Sequence, residues 1–236
     1  MIQNDVEQRS LQWHRLRFGS FTGSRISAIM GAGRKKDSVF SETAKSYIYQ
    51  IAAERMFDET FLNDDEVFQD YLNQTSVTSR AMQWGVEQEK PALNLYLTTY
   101  APDGEYAEVS LCAHDSIPHF GASPDGLVYY NRPNGLVRTL EIKCPNINTH
   151  MLYRTEVRDA ESLLRVKPEY YWQIMAEMSC TGADEAAFIS YCPYLSDPIH
   201  TIVIPRDDEA IAKLETRVAL ANEYVDKIIR QEENIW

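Results

Sequence analysis

The chain changes rhythm along its length. From Ser10 to Tyr100 its apolar positions recur mainly at helical spacing, and beyond that helical and alternating stretches follow one another. Ser10 to Gly31 reads as helix, turn, helix, with Thr22 or Ser24 as a candidate N-cap for Arg25–Met30. Residues 33–37 form a basic loop, and a helix is expected from Ser41 to about Phe57. Residues 58–76 are acidic and irregular, which predicts a loop with some helix. Thr78–Tyr100 predicts a long helix with Ala81, Trp84, Leu93 and Leu97 as its buried stripe. Strands follow at Tyr106–Cys112, at Phe120–Tyr130 around the turn Ser123-Pro124-Asp125-Gly126, and at Leu136–Cys144, which Pro145 stops. Arg132-Pro133-Asn134-Gly135 is a turn signal of the hairpin kind. Next come a helix at Glu169–Cys180, strands at Ala186–Cys192 and His200–Ile204, and a helix at Asp207–Glu232. The last helix carries Ile211, Leu214, Val218, Val225 and Ile228 on one side. This order predicts an α/β fold, a mixed β-sheet flanked by helices. No repeat, low-complexity tract or Pro/Gly/Ser-rich linker divides the chain, so residues 1–236 read as a single domain.

Composition fits that picture and restricts it. A 44% hydrophobic share with 14 Tyr and 8 Phe supplies an ample core. No stretch of 18 apolar residues occurs, and the polar start lacks the apolar run of a signal peptide, so a cytoplasmic protein without membrane contact is expected. Cys112, Cys144, Cys180 and Cys192 form no C-x-x-C pair, which argues against a zinc ribbon and for reduced, buried thiols. His119 and His200 sit beside apolar residues and read as structural. The net charge of -12 speaks against contact with phosphates, unless clustered carboxylates serve a metal or a basic channel is segregated from an acidic exterior.

Chemistry concentrates at Leu140-Glu141-Ile142-Lys143. On a strand, residues two apart share a face, so Glu141 and Lys143 project together while Leu140 and Ile142 face apolar packing. Alone, such a triplet could equally be an edge salt bridge. Asp125 lies upstream, and an intervening turn lets the two strands run antiparallel, setting Asp125 beside Glu141. Adjacent carboxylates repel unless a cation lies between them, and hard divalent ions prefer such oxygen ligands. Asp125 could bridge two ions, as in two-metal phosphodiester cleavage. Ser-Pro-Asp-Gly by itself would be an ordinary turn. A third acid could come from the long helix, where Glu87 and Glu89 are about 200° apart and only one can face the site.

Five segments in order carry a resemblance: Trp13-His14-Arg15-Leu16-Arg17-Phe18-Gly19 with Thr22-Gly23-Ser24; Trp84-Gly85 with Glu89; Ser123-Pro124-Asp125-Gly126-Leu127; Leu140-Glu141-Ile142-Lys143-Cys144-Pro145; and Tyr170-Tyr171-Trp172-Gln173. The chain resembles the lambda-exonuclease family, or YqaJ-like viral recombinases, among the PD-(D/E)xK nucleases with a restriction-endonuclease-like core. The resemblance implies that Asp125, Glu141, the Ile142 carbonyl and Glu89 bind two Mg²⁺ ions, with Mn²⁺ as a substitute. It implies that Lys143 and Gln173 serve the attacking water, and that Arg17, Ser24 and Ser123 hold a terminal 5′-phosphate. It further implies processive 5′→3′ digestion of one strand of double-stranded DNA, leaving a 3′ overhang for recombination. A homotrimeric ring, a single-strand annealing partner and a bacterial host cytoplasm belong to the same expectation. The basic run Arg34-Lys35-Lys36 is a candidate DNA-contacting loop. Two other readings compete: an endonuclease of the same fold, and a non-catalytic DNA-end-binding protein.

Overall fold

The computed structural model describes residues 2–3, 6–33, 39–75, 80–131, 135–231, 233 and 235. The basic run 34–36 and most of the turn at 132–135 lie outside the described residues. The chain begins with β1 (Ile2–Gln3) and α1 (Leu11–Arg17), which Ser10 caps by accepting from the Trp13 amide. In place of the expected helix–turn–helix, a short strand β2 (Phe21–Thr22) leads through a 3-10 turn, η1 (Gly23–Arg25), into a single turn of helix, α2 (Ser27–Met30). Thr22 precedes η1, but its side chain makes no capping bond. Helix α3 (Glu42–Arg55) starts where the capping serine, Ser41, predicts.

Helix takes up most of the acidic stretch over residues 58–75, more than the expected loop with some helix. The stretch forms α4 (Glu59–Leu62) and α5 (Asp65–Thr75). Its acids work as local caps: Asp58 accepts from the Thr60 amide at 2.8 Å, and Asp64 from the Glu66 and Val67 amides at 3.0 and 3.1 Å. The ring of Phe68 is fully buried edge-on to Phe18, 5.3 Å between centroids, which fixes α5 against the start of the chain.

Helix α6 (Arg80–Tyr100) follows. Its buried positions are Ala92 and Tyr96, flanked by Leu93 and Leu97, whereas Ala81 is exposed and Trp84 half-buried. The expected stripe is therefore correct only in the C-terminal half, where the helix crosses the sheet. The predicted strand 106–112 is two strands, β3 (Gly104–Ala107) and β4 (Leu111–Ala113), which belong to different sheets. Then come β5 (Phe120–Ala122), β6 (Gly126–Tyr130) and β7 (Val137–Lys143). Two helices with no clear sequence signal, α7 (Ile147–Glu156) and α8 (Ala160–Val166), lead into α9 (Pro168–Thr181). Strands β8 (Glu185–Tyr191) and β9 (Ile199–Pro205) and the long α10 (Asp208–Ile229) complete the chain.

The larger sheet has the order β3-β6-β7-β8-β9 and is mixed, since β7 and β8 are parallel while the other pairs are antiparallel. A smaller sheet, β1-β4-β5-β2, carries the N-terminal segment. Both faces of the larger sheet are buried. On one face Leu140 and Ile142 of β7, with Cys144 just beyond it, join Ala187 and Ile189 under Ala92 and Tyr96 of α6. On the other, Leu127 and Phe188 meet a larger core built from α9, α10 and α3. Helix α9 lies deepest: Tyr171, Ile174, Met175, Ala176, Met178 and Cys180 are all buried, and Gly182 ends the helix at φ +71°. The four cysteines are free and buried. His200 Nε2 is 2.8 Å from the Val157 carbonyl oxygen, a structural contact.

Candidate active site

Strand alternation places the chemistry. With Leu140 and Ile142 turned to α6, Glu141 must face α9, and it is only 1% exposed. The β6–β7 pairing sets Gly126 opposite Leu140, and the Asp125 amide donates to the Leu140 carbonyl at 2.9 Å. That register brings Asp125 level with Glu141 at the end of the strand pair. Asp125 Oδ2 accepts from the Ile142 amide at 2.6 Å, so its carboxylate is oriented by the strand that carries Glu141. Its carbonyl accepts from the Tyr106 hydroxyl at 3.3 Å. Gly126 permits this approach, because a Cβ there would lie 2.3 Å from the Tyr106 ring.

Each Glu141 oxygen has a partner. Oε1 is ion-paired with Lys143 Nζ, and Oε2 accepts from Gln173 Nε2 at 2.7 Å. Gln173 Nε2 also reaches Glu177 Oε1 at 3.2 Å, and Glu177 is as buried as Glu141. Three carboxyls thus crowd around one ammonium. Burial and then the Glu141 charge hold the Asp125 carboxyl well above the usual range; Lys143 partly offsets this. Burial and then Glu141 raise the Glu177 carboxyl in the same way. Burial disfavours the Lys143 ammonium, but Glu141 and Asp125 outweigh that and hold its pKa above the ordinary lysine value. The Lys143 Nζ also lies 5.1 Å from the Tyr170 ring centroid.

Glu89 is placed by α6, and its neighbour Glu87 is exposed. Glu89 lines a cavity of about 500 Å³ with Asp125, Ile142, Tyr106 and Arg9. Its Oε2 is ion-paired with Arg9 Nη2. As they stand, no three His, Cys, Asp or Glu side chains among the described residues converge tightly enough to enclose a cation. Two acids, Asp125 and Glu141, share the strand end, and the third is engaged by Arg9.

Arg17 and Ser24 are joined, Nη2 to Oγ at 3.1 Å. The Arg17 guanidinium lies 4.0 Å from the Trp13 ring centroid, and burial lowers its pKa to about 10. It lines a cavity of about 260 Å³ with Arg25, Thr22 and Tyr47. Ser123 stands outside that hydrogen bond. It directly follows β5, the strand paired in parallel with β2, which leads into Ser24. The Ser123 hydroxyl is buried with no protein partner.

Three residues of the site were not found by pattern. Glu177 follows Gln173 at the i,i+4 spacing of one helix face, a signal that could have revealed it. Tyr106 and Arg9 reach the site through long-range packing and have no local signature.

The family model of the YqaJ-like viral recombinase domain matches residues 12–184. No curated protein sequence matches the chain. Among solved structures, it is similar to an alkaline exonuclease from Laribacter hongkongensis, with 29% identity over 94% of this chain and 95% of that one, and a TM-score of 0.72. The structure of that exonuclease in complex with dAMP gives 28% identity over the same shares and a TM-score of 0.73. A phage-related exonuclease from Haemophilus somnus 129PT, 20% identical over 92% of this chain and 98% of that one with a TM-score of 0.61, shares the fold. With the match spanning residues 12–184 and the exonuclease fold extending over nearly all of the chain, the protein belongs to the YqaJ-like viral recombinase domain family.

Proposed function

We propose that this chain is a Mg²⁺-dependent exonuclease that degrades one strand of double-stranded DNA processively from 5′-phosphorylated ends, leaving a 3′ overhang for recombination. The observation that carries the reading is the strand-end arrangement of Asp125, Glu141 and Lys143, with Asp125 and Glu141 level on paired strands and Lys143 bonded to Glu141. Similarity to an alkaline exonuclease supports it. That relative's complex with dAMP fits a product in which the phosphate stays on the 5′ side.

The donor set fits magnesium. It consists of carboxylate and carbonyl oxygens, and the burial and the Glu141 repulsion that together raise the Asp125 pKa are what a divalent cation would offset. Asp125, Glu141, the Ile142 carbonyl and Glu89 would hold two such ions, with Mn²⁺ as a substitute. Bound there, the metal supplies Lewis acidity at the scissile phosphate and a water of lowered pKa.

The chain's own groups do the rest. Gln173 fixes one face of Glu141 and keeps its own carbonyl oxygen free to accept from the attacking water. The Lys143 ammonium offsets the negative charge that develops on the phosphoryl oxygens. Glu141 and Asp125 favour its ammonium form in the metal-free chain; with those carboxylates on a cation, Lys143 orients or deprotonates the attacking water. Arg17, Ser24 and Ser123 hold the terminal 5′-phosphate, the guanidinium through a planar fork and the hydroxyls through short hydrogen bonds. An unpartnered buried Ser123 hydroxyl fits a phosphate oxygen as its acceptor. A homotrimeric ring around the duplex, a single-strand annealing partner and action in the bacterial cytoplasm complete the proposal.

Linear duplexes with and without a 5′-phosphate, beside a closed circle, test it in Mg²⁺. The phosphorylated linear substrate should be digested fastest and the circle left intact. Rapid cleavage of the circle would point to an endonuclease, and no nucleotide release at all to an end-binding protein. Replacing Mg²⁺ by Ca²⁺ should preserve binding and suppress cleavage.

A further inference from the structure

Arg9 stands in an unusual backbone state for its residue type. Its φ is +68°, the left-handed region, which costs a non-glycine residue on the order of 1 kcal/mol or more. Neighbouring contacts hold it there. Gln8 Nε2 donates to the Val109 carbonyl at 2.7 Å and to the Pro124 carbonyl at 2.9 Å, fastening the segment to the loop that carries Asp125. Ser10, on the other side, caps α1. Between these anchors the Arg9 side chain enters the cavity lined by Asp125, Ile142 and Glu89, and pairs with Glu89. A strained residue fixed from both sides and aimed at a carboxylate of the site is in a functional position.

We propose that Arg9 is a tethered counter-ion for Glu89 that competes with the divalent cation for this carboxylate and so sets the metal affinity of the site. This rests on the metal-dependent reading above. The charge logic is direct. Glu89 and Asp125 line the same cavity as Arg9, so the guanidinium offsets a negative charge that would otherwise add to the repulsion there. A cation bound by Asp125 and Glu89 supplies the same compensation. The two positive charges exclude each other on the shared oxygen, and when the metal takes Glu89 the guanidinium is released into the same cavity. Arg9 is thus a positioning residue, and it acts through Glu89.

The test is the binding of Mn²⁺ to the full chain without DNA, followed by loss of the free-ion EPR signal. Arg9→Gly suits the positive φ and Arg9→Gln keeps the side-chain length, so a folding defect in one is controlled by the other. Both should bind Mn²⁺ roughly three- to tenfold more tightly than the natural chain, in keeping with a partly exposed ion pair. Arg9→Lys, which keeps the charge, should stay near the natural affinity. In a Glu89→Gln background the Arg9→Gln change should have no effect. Unaltered affinity in Arg9→Gly and Arg9→Gln, with binding still abolished by Asp125→Ala, overturns the proposal and leaves the metal reading intact. Mn²⁺ binding that Asp125→Ala does not weaken overturns both.

Discussion

Asp125 and Glu141 are held side by side by backbone hydrogen bonding, and their repulsion is only partly relieved by Lys143. Such a site is destabilising in itself, which leads to a prediction of opposite signs. Asp125→Asn should leave the thermal midpoint equal or higher while cutting the rate of nucleotide release at least ~100-fold. A lower midpoint would mean that the carboxylate supports the fold. Lys143→Ala should likewise lose ~100-fold or more in rate with its far-UV circular dichroism unchanged. Glu177 is the neighbour to separate from these. Its raised pKa means that the folded chain binds a proton the unfolded chain releases, so stability falls as pH rises above the ordinary glutamate pKa of about 4.3 through the raised value. Glu177→Gln removes that loss. Urea melts with EDTA present should show the variant gaining on the natural chain between pH 5 and pH 8, and parallel curves would refute the assignment.

At the scale of elements, α9 and the β6–β7 pair position the site, and each can be loosened separately. Gly126→Ala puts a methyl group into the Tyr106 ring and should cost about 1–3 kcal/mol by denaturant melt. Adding Tyr106→Val should recover part of that cost, because it removes the ring that the methyl meets. Helix α7 gives a second pH handle. His150 is fully buried, its Nδ1 is 2.8 Å from Ser190 Oγ, and burial, then Arg154 and His200, lower its pKa from 6.5 to about 4. The unfolded chain therefore takes up this proton first as the pH falls. Stability from His150 is complete above about pH 6.5 and is lost down to about pH 4, by at most ~3 kcal/mol. His150→Asn should shrink the difference between urea melts at pH 7.5 and pH 4.5 by a substantial part of that amount.

For the whole molecule, the difficulty is a net charge of -12 on a protein proposed to hold DNA. The proposed closed ring would answer it, because a threaded duplex would be retained by topology while its initial capture still depended on charge. Light scattering should then give three times the 27.1 kDa chain mass. Loading onto ends should fall steeply between about 50 and 200 mM salt, and run length once loaded should change little. A monomer mass, or a run length falling as steeply as loading, would exclude the ring. At the DNA end, Arg17→Ala should reduce the preference for a 5′-phosphate over a 5′-hydroxyl by roughly tenfold or more, with digestion of the hydroxyl end little altered.

The sequence by itself determined whatever depends on neighbours along the chain. The period-two pattern around Leu140-Glu141-Ile142-Lys143 put Glu141 and Lys143 on one face, and the turn-linked antiparallel pair put Asp125 beside Glu141. The α10 stripe of Ile211, Leu214, Val218 and Val225 was equally legible, because a helix buries residues at a fixed spacing. Where local pattern was ambiguous, reading failed. The acids of residues 58–66 suggested a loop with only some helix, but as caps they start α4 and α5, which fill most of the stretch. Alternation from Tyr106 to Cys112 suggested one strand, but the chain crosses between sheets within it. Only the tertiary structure decided that Arg9 meets Glu89, 80 residues away, and that Glu177 closes on Glu141 from another element. Such contacts depend on packing between distant segments, a bond from Gln8 to Pro124 or a helix laid across a sheet, and no periodicity along the chain encodes them.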